Sequence, residues 1–440
     1  MAEHELRGDL LGVLRGPEAE TLLRQSLETS GMRMRGWELE QIHPRSGAEV
    51  SARYRVRCAV PDADAGARPP GQPDPTDPIE LARLGESAEL TIVASTVELT
   101  PQQRSHMGAV RADSSQGTVH LWVHPVDPEL PGLLVVERPA AGGEGHHATE
   151  LESRLGRVLG EQCRLQSLQM LVLRPLRRAV YRAVVVSARG QRAVYLKVVR
   201  PARAQQLLAR HGCSELIPAV ADAGDGILVL DQAPGLALTS LLYRPTAPAD
   251  VVLPDPQVLI SALETLRPGT LGMPPRVPPA QRLDALAASA VAAGADRHRV
   301  QQLRGRIGSG LRERPGPVVP THGDFHPANL FLDQTGRHPT GLIDADTVGP
   351  GYRVDDLATM LGHLLTLPSF DAQGYAAVPE FARRFHVHAL LHADRQDLGA
   401  RTAAVLLSLL PGAHSADQRE HHLHWAETLL GRFSPEDPPR

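Results

Sequence analysis

Apolar and polar positions fall into stretches of different rhythm along the chain. Pro17 to Gly31 carries apolar residues at helical spacing behind an initial proline, which predicts an amphipathic helix. Alternating or continuous apolar runs then predict strands over Met34 to His43, Val50 to Val60, Ala88 to Leu99 and Thr118 to His124. One helix with a four-stranded antiparallel sheet gives an α+β N-terminal domain over residues 1–138. Pro61 to Asp77, dense in Pro, Asp, Gly and Ala, is expected to be a disordered loop. Gly-rich Pro139 to His147 reads as a linker, within a connecting stretch over residues 139–163 that includes a helix.

Further along, Val180 to Val186 and Arg192 to Val199 are β-rich runs flanking the turn Ser187-Ala188-Arg189-Gly190-Gln191. A helix candidate, Pro201 to Arg210, opens on proline. Gly226 to Asp231 is a buried strand that breaks at Pro234-Gly235. From Asp255 onward the pattern is helical almost throughout, with one hairpin interrupting it.

Composition narrows the class. The 440 residues allow two or three domains, and 42% hydrophobic with only 3% aromatic residues implies a core of Ala, Leu and Val. A net charge of −4 argues against a nucleic-acid binder relying on a positive field. Cys58, Cys163 and Cys213 form neither a disulfide framework nor a metal pattern. The start lacks a basic-then-apolar signal region and no apolar run reaches membrane length, so a cytoplasmic protein without membrane partners is expected.

Two segments carry candidate chemistry. Lys197 is the only lysine among 46 basic residues, and it sits inside a strand-like run where a solvated charge is out of place. An ammonium is a compact charge that reaches phosphate oxygens from a crowded strand, and guanidinium does not replace it. The plain alternative is that lysines were exchanged for arginines and one was left by accident.

The second segment is Thr321-His322-Gly323-Asp324-Phe325-His326-Pro327-Ala328-Asn329, followed by Leu330-Phe331-Leu332 and, after a turn, Gly341-Leu342-Ile343-Asp344-Ala345-Asp346. In kinase-like phosphotransfer an Asp at the first position orients the attacking hydroxyl and accepts its proton, while the Asn and the later Asp hold Mg²⁺ on the nucleotide phosphates. The step from Asp324 to Asn329 lets one loop aim a base at the substrate and an amide at the metal. A hairpin brings Asp344 back beside Asn329, so oxygen ligands suited to Mg²⁺ converge. His388 and His392, and His421 and His424, have spacings that could present a metal on a helix, but no third ligand stands at convincing spacing.

With those residues in view, the chain resembles the aminoglycoside phosphotransferase and choline kinase family, small-molecule kinases of protein-kinase-like fold. The resemblance runs from about Arg164 to the C-terminus. It implies a bilobal fold, with a small β-rich lobe and hinge over residues 164–235 and a large helical lobe over 236–440. It implies Asp324 as the base, Asn329 and Asp344 as Mg²⁺ ligands with Asp346 as a further candidate, and Lys197 on the ATP phosphates. Backbone groups around Leu230 and Gln232 would take the adenine, and Asp356 would brace the loop. The N-terminal stretch is similar to the cap of maltokinase-like relatives.

Two features depart from the pattern. The turn Arg174-Pro175-Leu176-Arg177-Arg178, where a phosphate-covering loop is expected, has no G-x-G-x-x-G, and the helix Pro201 to Arg210 has no Glu to pair with Lys197. The expected function is an ATP- and Mg²⁺-dependent phosphotransferase acting on a hydroxyl of a sugar, aminoglycoside or amino alcohol. The alternatives are a catalytically weak or inactive kinase-like regulatory protein, and an N-terminal module that docks a protein partner.

Overall fold

The computed structural model describes all residues except 1–9, 11, 30, 45–48, 60–86, 138–148, 245–252 and 432–440. The loop and linker expected at Pro61 to Asp77 and Pro139 to His147 lie outside the described residues. The chain divides into two compact units, Met1–Ala204 with Ala221–Val229, and Gln205–Val220 with Leu230–Arg440. The fold is α+β, with sheet dominating the first unit and helix the second.

The first unit begins with α1 (Pro17–Glu28), which buries Ala19, Leu22, Leu23 and Leu27 along one stripe. This stripe meets the alternating inward residues Ala52, Tyr54, Val56 and Cys58 of β2 (Val50–Ala59) in one apolar cluster. β1 (Arg33–Pro44) and β3 (Ser87–Ser95) flank β2. Two elements in or next to this sheet were not expected from the sequence. α2 (Pro101–Met107) and β4 (Val110–Ser114) precede β5 (Gly117–Val123), so the antiparallel sheet has five strands in the order β1-β2-β3-β5-β4 rather than four. α2 buries only Met107, so it shows no apolar stripe. Its readable signal is the reciprocal capping box of Thr100 and Gln103 ahead of Pro101.

α3 (Gly132–Glu137) and α4 (Glu150–Leu159) lead into a second sheet of the same unit. There β6 (Cys163–Arg174), β7 (Arg178–Ser187) and β8 (Gly190–Val199) form an antiparallel meander. After α5 (Pro201–His211), β9 (Val220–Asp222) and β10 (Ile227–Asp231) complete the order β6-β7-β8-β10-β9. Val194, Leu196 and Val198 of β8 enter the core beneath this sheet. Lys197 alternates to the other face by the two-residue period of a strand.

The second unit starts from β11 (Leu236–Ala237) and α6 (Leu238–Leu242), then α7 (Pro256–Glu264), α8 (Leu283–Ala292) and α9 (Arg297–Gly310). β12 (Val318–Thr321), β13 (Leu330–Leu332), β14 (Pro339–Leu342) and β15 (Gly349–Tyr352) follow, and α10 (Arg353–Thr366), α11 (Val378–Ala389), α12 (Arg395–Leu409) and α13 (Ala416–Gly431) close the chain. The core is built from Leu, Ala and Val with few aromatics, as the composition implies. α10 and α12 are buried along most of their lengths. They meet at Gly362, where a Cβ would stand 2.7 Å from Cγ1 of Val405. Between them Arg401 donates to Asp355 at 2.7 Å and to Asp397 at 2.9 Å, fixing the start of α10. No described helix is long and apolar enough to cross a membrane.

Candidate active site

β12 pairs with β15 and β13 with β14, so the segment from His322 to Asn329 is a loop strung between two small antiparallel pairs. Its conformation is set from below. The carboxylate of Asp356, fully buried on the first turn of α10, accepts the backbone N–H of His322 at 2.9 Å and of Gly323 at 2.8 Å. Burial pushes the Asp356 carboxyl up to about 6, while Arg353 and the two backbone donors pull it down. It is therefore ionised at neutral pH, as two N–H donors require. Gly323 has φ +77°, and a Cβ there would stand 2.7 Å from the carbonyl oxygen of Thr347.

His322 ties the loop to the hairpin. Its Nε2 lies 3.1 Å from the carbonyl oxygen of Ile343, and its Nδ1 accepts the N–H of Asp324 at 3.3 Å. These bonds require the neutral Nε2–H tautomer, and burial lowers the imidazole to about 4. Phe325 is fully buried and meets the His322 ring edge-on. His322 and Phe325 thus point into the protein, while Asp324 between them is partly open.

Asn329 is buried and donates from Nδ2 to the carbonyl oxygen of Asp324 at 2.9 Å, which leaves its amide oxygen as the lone-pair donor of the side chain. The N–H of Ile343 donates to the carbonyl oxygen of Asn329 at 2.9 Å, which brings the end of the hairpin back to the loop as the sequence pattern requires. The turn from Asp333 is closed by its own carboxylate, which accepts from Thr335 and from the N–H of Arg337. Asp344 then takes a left-handed conformation at φ +56°, unusual for a residue with a side chain. Asp346 follows in a single turn of 3₁₀ helix.

Leu230 and Gln232 stand at the end of β10 and just past it, half-buried and exposed. There the N–H of Asp231 donates to the carbonyl oxygen of Ala219 at 3.0 Å, and Thr340 donates to the carbonyl oxygen of Pro234 at 2.8 Å. Lys197 is in the first unit, only 6% exposed and opposite Val180 of β7. In that unit the turn between β6 and β7 is held by Leu176, which has φ +64° and is 1% exposed. Its side chain joins Val93, Leu99, Met107, Trp122 and Val126 in an apolar cluster. Asp127 accepts its N–H at 2.9 Å and Arg200 donates to its carbonyl oxygen at 2.9 Å.

One residue at the site was missed in the sequence. Arg276 donates from Nη1 to Oδ1 of Asp324 at 3.1 Å. Its signal was the run Pro274-Pro275-Arg276-Val277-Pro278-Pro279, a charge between prolines. His363 was also missed, and its ring stacks on His326 with centroids 4.5 Å apart. Arg353, the first residue of α10, faces Asp356 at 3.9 Å. His388 bonds Gln257 at 2.7 Å and His421 bonds the carbonyl oxygen of Leu365 at 2.8 Å. Among the described residues no three His, Cys, Asp or Glu side chains are grouped to hold a metal ion.

A model of the phosphotransferase enzyme family matches residues 182–395, a span that includes Lys197, the Asp324 loop and the Asp344 hairpin. This segment belongs to that family. The matched segment is that of a kinase-like phosphotransferase. No curated protein matches the chain. Among solved structures it is similar to a thermostable mutant of aminoglycoside phosphotransferase APH(4)-Ia, with TM-score 0.45 and 17% identity over 64% of this chain and 99% of that one. It is also similar to the macrolide 2'-phosphotransferase MphH of Brachybacterium faecium, with TM-score 0.35 and 18% identity over 66% and 98% of the two chains. For ADP-bound aminoglycoside phosphotransferase APH(2'')-Ib the TM-score is 0.37 and the identity 13%, over 64% and 96%.

Proposed function

We propose that the protein transfers the γ-phosphoryl group of ATP, with Mg²⁺, to a hydroxyl of a small polar molecule. The observation that carries this reading is the fixed relation of Asp324 and Asn329, one loop bonded to itself through the Asn329 amide and held by buried Asp356. A partly exposed carboxylate on a rigid loop is what an acceptor hydroxyl needs for orientation and for loss of its proton. Asp324 receives that proton as the new O–P bond forms and the bond to the bridging oxygen of ADP breaks.

The donor set fits a hard cation. The free amide oxygen of Asn329 and the carboxylate of Asp344, with Asp346 as a further candidate, are oxygen ligands, and Mg²⁺ held there would neutralise phosphate charge. Lys197 is proposed to bind the nucleotide phosphates and the backbone around Leu230 to Gln232 the adenine.

The test is phosphate transfer from MgATP across a panel of sugars and amino alcohols, with nucleotide binding followed by thermal shift. Asp324→Asn is expected to lower turnover by about 10²–10⁴-fold with the MgATP-induced shift unchanged. If MgATP stabilises the protein and no acceptor is phosphorylated, the regulatory alternative replaces this reading.

A further inference from the structure

Arg276 stands on a stiff support. The run Pro274-Pro275-Arg276-Val277-Pro278-Pro279 has four prolines, whose rings fix φ and leave little freedom to lose on binding. The run is pinned where Arg210 donates to the carbonyl oxygen of Pro274 at 3.1 Å, and it continues into a 3₁₀ turn at Pro279–Gln281. The Cα of Arg276 is thus carried by a restricted backbone, and its guanidinium is held beside Asp324 by their hydrogen bond. Both side chains remain partly open, 28% exposed for Arg276 and 30% for Asp324, so a small molecule can meet them together.

Two carboxylates, Asp324 and Asp344, act on the imidazoles of His322 and His326, and Arg276 faces the first of them. Burial keeps the neighbouring His326 and His363 imidazoles below their ordinary range, the latter at about 3, so both are neutral near pH 7. The fixed positive charge beside Asp324 is Arg276. Its pairing offsets the attraction that a lone carboxylate would offer to an ammonium group. One guanidinium carries five N–H donors and no acceptor, and Asp324 takes one of them through Oδ1. Oδ2 is left for the acceptor hydroxyl, with the His326 Nε2 4.0 Å away.

We infer that Arg276 is a positioning and specificity-determining residue, and that the acceptor is a polyol carrying oxygen, not nitrogen, on the carbon next to the hydroxyl that is phosphorylated. This rests on the phosphotransferase reading of Asp324. The remaining donors of Arg276 bind that neighbouring oxygen, whether hydroxyl or carboxylate, and repel an ammonium in its place. A like charge at one position gives discrimination without any added contact to the preferred substrate.

The test measures kcat/KM of the full chain with MgATP on matched acceptors, a neutral sugar, its sugar acid and its 2-amino-2-deoxy counterpart. The native protein is expected to favour the oxygen-bearing acceptors over the amino sugar by at least about tenfold. Arg276→Gln is expected to remove most of that preference and Arg276→Glu to reverse it, while the MgATP-induced thermal shift stays unchanged in both. The sugar and sugar-acid arms separate a neutral from an anionic polyol. Preference of the native protein for the amino sugar, or an unaltered preference in Arg276→Glu, overturns the inference and leaves the phosphotransferase reading standing. Failure of every acceptor in the native protein, with MgATP still bound, overturns both.

Discussion

Two tight turns in this molecule are each tied to a buried carboxylate and differ in what else holds them. The Asp324 loop bends at Gly323, and the N–H groups of His322 and Gly323, turned away from solvent, are taken by one buried carboxylate on the helix below. The β6–β7 turn bends at Leu176, a residue for which the left-handed conformation is unfavourable by about 1–2 kcal/mol. Leu176 is held there by Asp127 and Arg200 on its backbone and, on its side chain, by an apolar cluster whose other buried members come from residues 93–126. A loop held by polar groups at fixed spacing is written in its own segment. A turn held by packing is written in the residues that cover it, and here those are far away in the chain.

The comparison can be broken first at its polar end. Asp356→Ala would leave two buried N–H groups without an acceptor, at about 1–3 kcal/mol each. Denaturant unfolding should therefore show a loss of several kcal/mol together with loss of phosphate transfer, while Asp356→Asn should retain part of both. An Asp356→Ala protein of native stability would mean that the loop is held by something else.

At the apolar end, Leu176→Ala should cost about 2–5 kcal/mol and leave Asp324 chemistry in place. Leu176→Gly should cost no more than the alanine, because glycine adopts positive φ without strain and offsets the further lost methyl. A glycine variant clearly less stable than the alanine one would show that the backbone at Leu176 is not strained.

A smaller effect lies in pH. An unfolded imidazole titrates near 6.5, whereas His322 in the folded protein titrates at about 4 and His363 at about 3 because both are buried. Between these values the unfolded chain binds the proton and the folded one does not, so stability falls as pH falls from about 6.5 toward 4, by on the order of 1 kcal/mol per group. Asp356, raised to about 6, works the other way and offsets part of this. Unfolding midpoints at pH 7 and pH 5 should show the net fall, and His363→Leu should flatten it. An unchanged midpoint would mean that these rings titrate normally.

The β-rich runs of β7 and β8, α5 and the Asp324 hairpin were legible, because each has a periodicity or a turn residue of its own. That Asp324, Asn329 and Asp344 share one loop and hairpin was legible for the same reason, since they stand at fixed offsets within it. Arg276 was not, because its meeting with Asp324 depends on a separate proline-flanked segment folding back, and nothing at 276 states what it will face. α2 was missed because it buries one side chain, and β4 because an edge strand with a mostly polar pattern carries little apolar rhythm.

Asp355 and Asp356 are consecutive, and on a helix that separates their directions by about 100°. One grips Arg401 of α12 while the other grips the loop, so neighbouring carboxylates join the helical interior to the bend at Gly323. Loosening Arg401 should therefore be felt at Asp324 through a single peptide step, which makes the bundle core a remote handle on loop geometry.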